Sequence, residues 1–311
     1  MEKLACYIAS VVIAFGATVA CAAVPPPDGA TPPARIPDKT VVLTFDDAVE
    51  SHKAVVAPLL KKLGFGATFF ITHAWMDDTS NFMSWDDVAQ LHRMGFEIGN
   101  HSWTHGEFNS AESALTLGTE LEMVEKELAR VGVPKPISFA WSGNQFGPEA
   151  VAQLQAHGYP LARRGMQPEL PYGSDTVGLP LDVTKHHPLM IPTAGDAYPY
   201  WTFENFKAVA ATARGGKIAV LQFHGVPDRA HPWVQTLPEN FRQYMLYLKH
   251  NGYHVVALRD VLKYYDVARL PDDPMLRVRY PNGVDPDMPA PKMRALFEAA
   301  RKAASNSNQN K

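Results

Sequence analysis

Val41-Val42-Leu43-Thr44-Phe45-Asp46-Asp47-Ala48 is the stretch on which the fold turns. A short apolar run rich in β-branched residues and closed by polar ones has the composition of a buried strand. This one ends in two adjacent carboxylates. Two other segments repeat the order of strand followed by chemistry: 96–99 leads toward His101-Ser102-Trp103-Thr104-His105, and 218–223 leads into His224-Gly225. These polar groups are about 50 to 180 residues apart in sequence. In a β/α barrel the C-terminal ends of the strands converge on one face, which would bring such distant residues to one site.

The rest of the chain supports that architecture. Helical periodicity over 51–62, 84–93, 112–130, 149–157, 202–213, 238–251 and 258–265 alternates with strand-like runs at 67–71, 136–140 and 254–256. Ser84 stands as the cap of the second helix, with Asp87 in the capping-box position. The alternation predicts an α/β fold with a parallel sheet rolled into a barrel. A chain of 311 residues with 46% hydrophobic content can fill the core of one large domain. Its net charge of -3, with both signs intermixed, argues against nucleic acid or an anionic membrane as a partner.

Hydrolysing an amide or ester at neutral pH needs a water nucleophile, a base for its proton, positive charge for the oxyanion and an acid for the leaving group. Two imidazoles and a carboxylate, His101, His105 and Asp47, make a ligand set that suits zinc or a similar divalent ion and leaves positions open. The two histidines are four residues apart, so one helical turn would put both rings on one side. Successive side chains such as Asp46 and Asp47 point different ways in an extended or turning segment, so one can hold the ion while the other faces the water. His224, arriving from a distant strand, has a side chain whose ordinary pKa of ~6.5 suits proton donation.

These three segments, in this order, resemble the polysaccharide deacetylases, the carbohydrate esterase family 4 group that includes chitin and peptidoglycan deacetylases. The resemblance implies an incomplete, distorted (β/α) barrel of about seven parallel strands. It implies Asp46 as base, Asp47, His101 and His105 as ligands of a divalent ion (zinc first, with cobalt, nickel or iron as alternatives), and His224 as acid. The family's third motif carries an arginine that pairs with the base and an aromatic whose N–H helps bind the oxyanion. The stretch here, Phe139-Ala140-Trp141-Ser142-Gly143-Asn144, has no arginine, and Gly143 and Trp141 stand as its candidate oxyanion and substrate groups. The fourth motif, an Asp-Trp element behind the acid, is replaced by 179–196, with His186-His187-Pro188 and Asp182 as a candidate.

Two loops are expected near the site. The Pro-rich stretch 179–201 is too long for a simple βα connection and is expected to form a rim loop, with Tyr198, Tyr200 and Trp201 either stacking on sugar rings or anchoring the loop. In 227–233, Asp228 and His231 are candidates for the pocket lining. His73 follows a strand and is another candidate lining residue, with a hydrogen-bonded structural histidine as the favoured reading.

The N-terminus predicts export. Lys3, an apolar stretch from Leu4 to Ala20 and the small residues up to Ala23 have the form of a signal peptide over 1–23, too short and wrongly flanked for a membrane span. Cleavage there would remove Cys6 and Cys21 and leave no disulfide. Alternatively, Thr18-Val19-Ala20-Cys21 partly resembles a lipobox, which would make Cys21 a lipid anchor. A Pro-rich linker follows over 24–38, the catalytic domain over 39–266, and a C-terminal extension over 267–311 with a short helix at 290–304 and a polar tail. The expected reaction is deacetylation of an acetylated polysaccharide or oligosaccharide, in the periplasm, cell envelope or medium, with N-acetylglucosamine polymers first and O-acetyl glycans second. A cyclic amide or imide hydrolase of the allantoinase-like relatives and a non-catalytic glycan-binding relative remain as alternatives.

Overall fold

The computed structural model describes residues 33–266, 269–270 and 273–279. The expectations for the signal peptide, Cys6, Cys21, most of the linker and the helix at 290–304 lie outside these residues. Among the described residues no helix is long and apolar enough to cross a membrane.

The chain alternates as its sequence predicts. β1 (Thr40–Phe45), β2 (Thr68–Ile71), β3 (Glu97–Asn100), β4 (Ser138–Ala140), β5 (Leu161–Arg163), β6 (Gly195–Asp196), β7 (Ala219–Phe223) and β8 (His254–Val256) interleave with α1 (Ala57–Leu63), α2 (Trp85–Arg93), α3 (Ala111–Arg130), α4 (Pro148–Ala156), α5 (Phe203–Ala210) and α6 (Pro238–His250). Seven strands form one continuous parallel order, β5-β4-β3-β2-β1-β7-β6. β8 pairs with the first half of β1, through Thr40–Val42, while β2 pairs with its second half, at Thr44 and Phe45. All six residues of β1 are buried, as a strand covered on both faces requires.

Local chemistry explains the helix starts. Ser84 caps α2 and Asp87 returns the bond to the Ser84 N–H, the expected capping box. Ser110 and Thr202 start α3 and α5 the same way. The first expected helix is irregular, with a π-helical turn at His52–Val56 before α1. That turn buries His52 against Phe45 and Phe69, and burial lowers its imidazole to about 4. The helix expected at 258–265 is a 3-10 run, Leu258–Tyr264.

The stretch 179–201 departs from expectation: it is barrel wall, not a rim loop. Ile191 pairs with the edge of β5 away from β4, through Ile191 N–H to Ala162 O and Arg164 N–H to Ile191 O, each 2.9 Å. Ala194 N–H then bonds Val220 O of β7 at 2.8 Å. The segment therefore fills the gap between β5 and β7, and β6 is its last part. Gly195 is needed there, since a Cβ would lie 2.4 Å from the Trp201 ring. His186 and His187 are buried acceptors for the backbone N–H groups of Asp182 and Leu189. Asp182 accepts from Thr184 and pairs with Lys185 at the surface, so it is no substitute for the missing motif.

Candidate metal and catalytic site

Asp46 follows directly on β1 and its N–H bonds Phe223 O of the neighbouring β7 at 3.0 Å. The next residues leave the strand direction sharply: Asp47 has φ 76° and Ala48 φ 56°. This turn sends Asp46 into the barrel and Asp47 across its mouth. In the loop after β3, Ser102 and His105 also have positive φ, 62° and 56°. His101 and His105 thus meet through a loop held in left-handed conformations rather than a helical turn. Their rings lie 4.9 Å apart at 80°. Of the six non-glycine residues with positive φ among the described residues, four belong to these two loops, a concentration of strain of the kind functional sites retain.

The donor atoms fit a cation. One ligand atom from each of Asp47, His101 and His105 lies within 4.8 Å of the others. His101 Nδ1 is 2.8 Å from the Ala140 carbonyl, an acceptor only, so Nδ1 carries the hydrogen and Nε2 presents a lone pair. That lone pair faces Asp47 Oδ1 at 3.5 Å, and His105 Nε2 faces the same oxygen at 3.6 Å. Asp47 Oδ1 is buried without a hydrogen bond. Lone pairs converging on a buried carboxylate oxygen are the arrangement a divalent ion satisfies. Burial lowers the His105 imidazole to about 4, which keeps it neutral and able to ligate. His101→Ala should therefore lose bound metal together with activity, and a chelator should reproduce the loss. Full occupancy by elemental analysis in that variant would remove His101 from the ligand set.

Asp46 has the orienting partner that the third-motif stretch lacks. Arg163, at the end of β5, donates from Nη2 to both Asp46 oxygens, at 2.6 and 2.5 Å, and from Nη1 to Gln222 Oε1 at 2.6 Å. Its guanidinium crosses the barrel interior, 1% exposed, over the Phe70 ring. The arginine has come from the strand after the expected one.

The acid candidate also has a partner the sequence did not reveal. His224 Nε2 is 3.9 Å from Asp47 Oδ2, while its Nδ1 is 3.8 Å from Asp196 Oδ1 at the end of β6. Burial pushes the Asp196 carboxyl up to about 6, with the neighbouring imidazole opposing. Burial pulls His224 down, but Asp196, Asp47 and Asp46 outweigh it and hold the imidazole above its ordinary value.

One cleft takes in Asp46, Asp47, His101, His105, Arg163, Asp196, Gln222 and His224. Trp141, Gly143 and His231 line it. Gly143 has φ 54°, which suits glycine in this tight loop. The Trp141 indole N–H is turned away to Leu189 O at 3.3 Å. Asp228 requires correction: it is fully buried, lies outside the lining, and stands behind His231, accepting its backbone N–H at 2.7 Å. Tyr198 lines the cleft, whereas Trp201 is packed beneath β6 and anchors the wall. Tyr172, Trp75, Trp233 and Gln167, also in the lining, had no sequence signal to single them out.

Residues 34–162 match the family model for polysaccharide deacetylase. Over these residues, less than half of its length, the chain is similar to the polysaccharide deacetylases. The matched stretch carries Asp46, Asp47, His101 and His105 and stops one residue before Arg163. Among curated relatives of this deacetylase-like chain, an uncharacterized 30.6 kDa protein of Geobacillus stearothermophilus is 31% identical over 91 residues, 29% of this chain and 32% of the relative. A chitin deacetylase of Pestalotiopsis sp. is 24% identical over 143 residues, 45% of this chain and 46% of the relative. The chain thus spans a third to a half of these relatives' length. A family 4 acetyl xylan esterase from Clostridium thermocellum, solved with a cobalt ion, shares the fold with TM-score 0.51 and 22% identity, over 77% of this chain and 96% of that one.

Proposed function

We propose that the protein is an exported, metal-dependent hydrolase that removes acetyl groups from a glycan, with N-acetylglucosamine polymers as the first substrate class and O-acetyl glycans as the second. One observation carries this reading: the Arg163-held carboxylate of Asp46 shares a cleft with the Asp47, His101 and His105 ligand set and with His224. A divalent ion on those three residues, zinc by the ligand chemistry, supplies positive charge that polarises an acyl carbonyl and makes water more acidic.

The chain's own residues divide the remaining work. Asp46 accepts the proton of the attacking water, and the two-point hold of Arg163 aims its oxygens. The Gly143 N–H serves as the backbone donor to the carbonyl oxygen as charge develops there. His224 then gives its proton to the departing nitrogen or oxygen, with Asp196 behind it.

The test is acetate release by the metal-loaded protein from N-acetylglucosamine oligomers and acetylated xylan, set against ring opening of cyclic amides and imides. Acetate from the oligomers is expected. Ring opening without acetate release would replace the reading with that of a cyclic amidase, and metal uptake with no turnover would make the protein a binding relative. Export is checked by fractionation, with the mature chain expected outside the cytoplasm and starting near residue 24.

Asp196 gives this reading a pH signature. Replacing Asp196 with Asn removes a negative charge facing Nδ1 and so lowers the pKa of His224. The acid form is then lost at lower pH, and the alkaline limb of activity on an N-acetyl substrate should move down. An unmoved limb would show that Asp196 does not act on the acid.

A further inference from the structure

Outside the cleft, the loops after β2 and β3 carry a second aromatic surface. His73 lies 4.0 Å from Trp103 and 6.1 Å from Trp85, ring centroid to ring centroid, and the two indoles are 6.1 Å apart at 16°. All three are half-buried. The groove over this surface is made of two adjoining depressions: one is lined by Met76, Trp85, Asp86 and Arg130, the other by Trp75, Trp103 and His105, and His73 and Asp77 border both. Trp75 and His105 also line the cleft, so the second depression borders it.

Polar groups edge the rings. The Asp77 side chain is 100% exposed, 3.9 Å from His73 Nε2, and Asp86 is exposed at the far end. His73 Nδ1 is buried with no hydrogen-bond partner among the described residues. Aromatic faces beside carboxylates suit a pyranose, which has an apolar C–H face and a rim of hydroxyl donors. The same carboxylates are costly to bury under an apolar ligand.

Tyr172, 63% exposed, follows β5, and β5 and β2 are separated by two strands in the sheet. Aromatic side chains thus flank the cleft on the β5 side, at Tyr172, and on the β2 side, at Trp75.

We infer that the Trp85, His73 and Trp103 groove is an outer sugar-binding subsite, which holds a glycan chain several units away from the residue in the cleft. The inference rests on the glycan reading of the site. It makes the protein selective for polymer over short oligosaccharide.

Binding measured by calorimetry on the metal-loaded Asp46→Asn protein tests it, because the ligand is not consumed. The probes are β-1,4-linked N-acetylglucosamine dimer and hexamer. The hexamer is expected to bind about 10-fold tighter or better, a gain of the size an added aromatic contact supplies. Trp85→Ala in this background should remove most of that gain and leave the dimer within about twofold, while Trp85→Tyr should keep it. Asp77→Ala, at a fully exposed carboxylate that folding does not need, should also weaken the hexamer alone. Equal affinities for dimer and hexamer, no binding of either, or equal loss on both in the Trp85→Ala and Asp77→Ala proteins would overturn the subsite. Acetate release by the parent protein tests the glycan reading separately, so the two can fail independently.

Discussion

Asp46→Asn will keep its metal and lose about 10² to 10⁴ of its turnover, the range of a general acid-base contribution. The amide retains the shape of the carboxylate but cannot accept the water's proton. Asp47, which faces both imidazoles, is left untouched, so metal content should match the parent. Arg163→Lys should produce a second, smaller loss by a different route. Lysine keeps the positive charge but cannot form the forked contact to both Asp46 oxygens and to Gln222 that Arg163 makes. Its turnover should fall by roughly 10-fold or more with metal bound, and combining it with Asp46→Asn should add little, because the arginine acts through the base. Asp46→Asn within a few-fold of the parent would place the base elsewhere. Full additivity in the double variant would show that Arg163 contacts substrate directly.

The residues that sequence pattern located and those it missed differ in the strands that carry them. β1 and β7 are runs of six and five buried residues, long enough to show as strands, and each ends in residues with chemistry of their own. β5 has three residues and β6 two, too few for any periodicity, and both are held by bonds from Ile191 and Ala194 that no local pattern announces. Those two strands deliver Arg163 and Asp196. One signal was available: α4 ends before Gly158, strand–helix alternation demands a strand next, and Leu161-Ala162 supplies it immediately before two arginines. The third-motif stretch drew attention to its own missing arginine, while the side chain needed was one strand further round the barrel. For Asp196 the cue was weaker, a small-residue run, Ala194-Gly195-Asp196-Ala197, whose purpose is visible only once Trp201 packs against Gly195. The His101 and His105 pairing was legible from spacing, but for a helical reason that does not hold. A loop with positive φ at Ser102 and His105 does the same work.

His224→Ala should split substrates by leaving group. An amine expelled from a tetrahedral intermediate must be protonated as it leaves, whereas an activated phenolate departs as the anion. If His224 is the acid, its loss should cost about 10² to 10⁴ on an N-acetylated sugar and no more than about 10-fold on an aryl acetate. The geometry sharpens the expectation. His224 Nε2 lies 3.9 Å from Asp47 Oδ2, on the cleft side, while Nδ1 is turned back toward Asp196, so the nitrogen available to a leaving group is Nε2. The ligand atoms of Asp47, His101 and His105 meet without the His224 ring, and metal content should therefore survive the substitution. A parallel loss on both substrates with metal still bound would mean that His224 positions the acyl group or its carbonyl instead of donating a proton. The alkaline limb assigned to Asp196 and His224 would then have to vanish as well, since no acid would remain for Asp196 to tune.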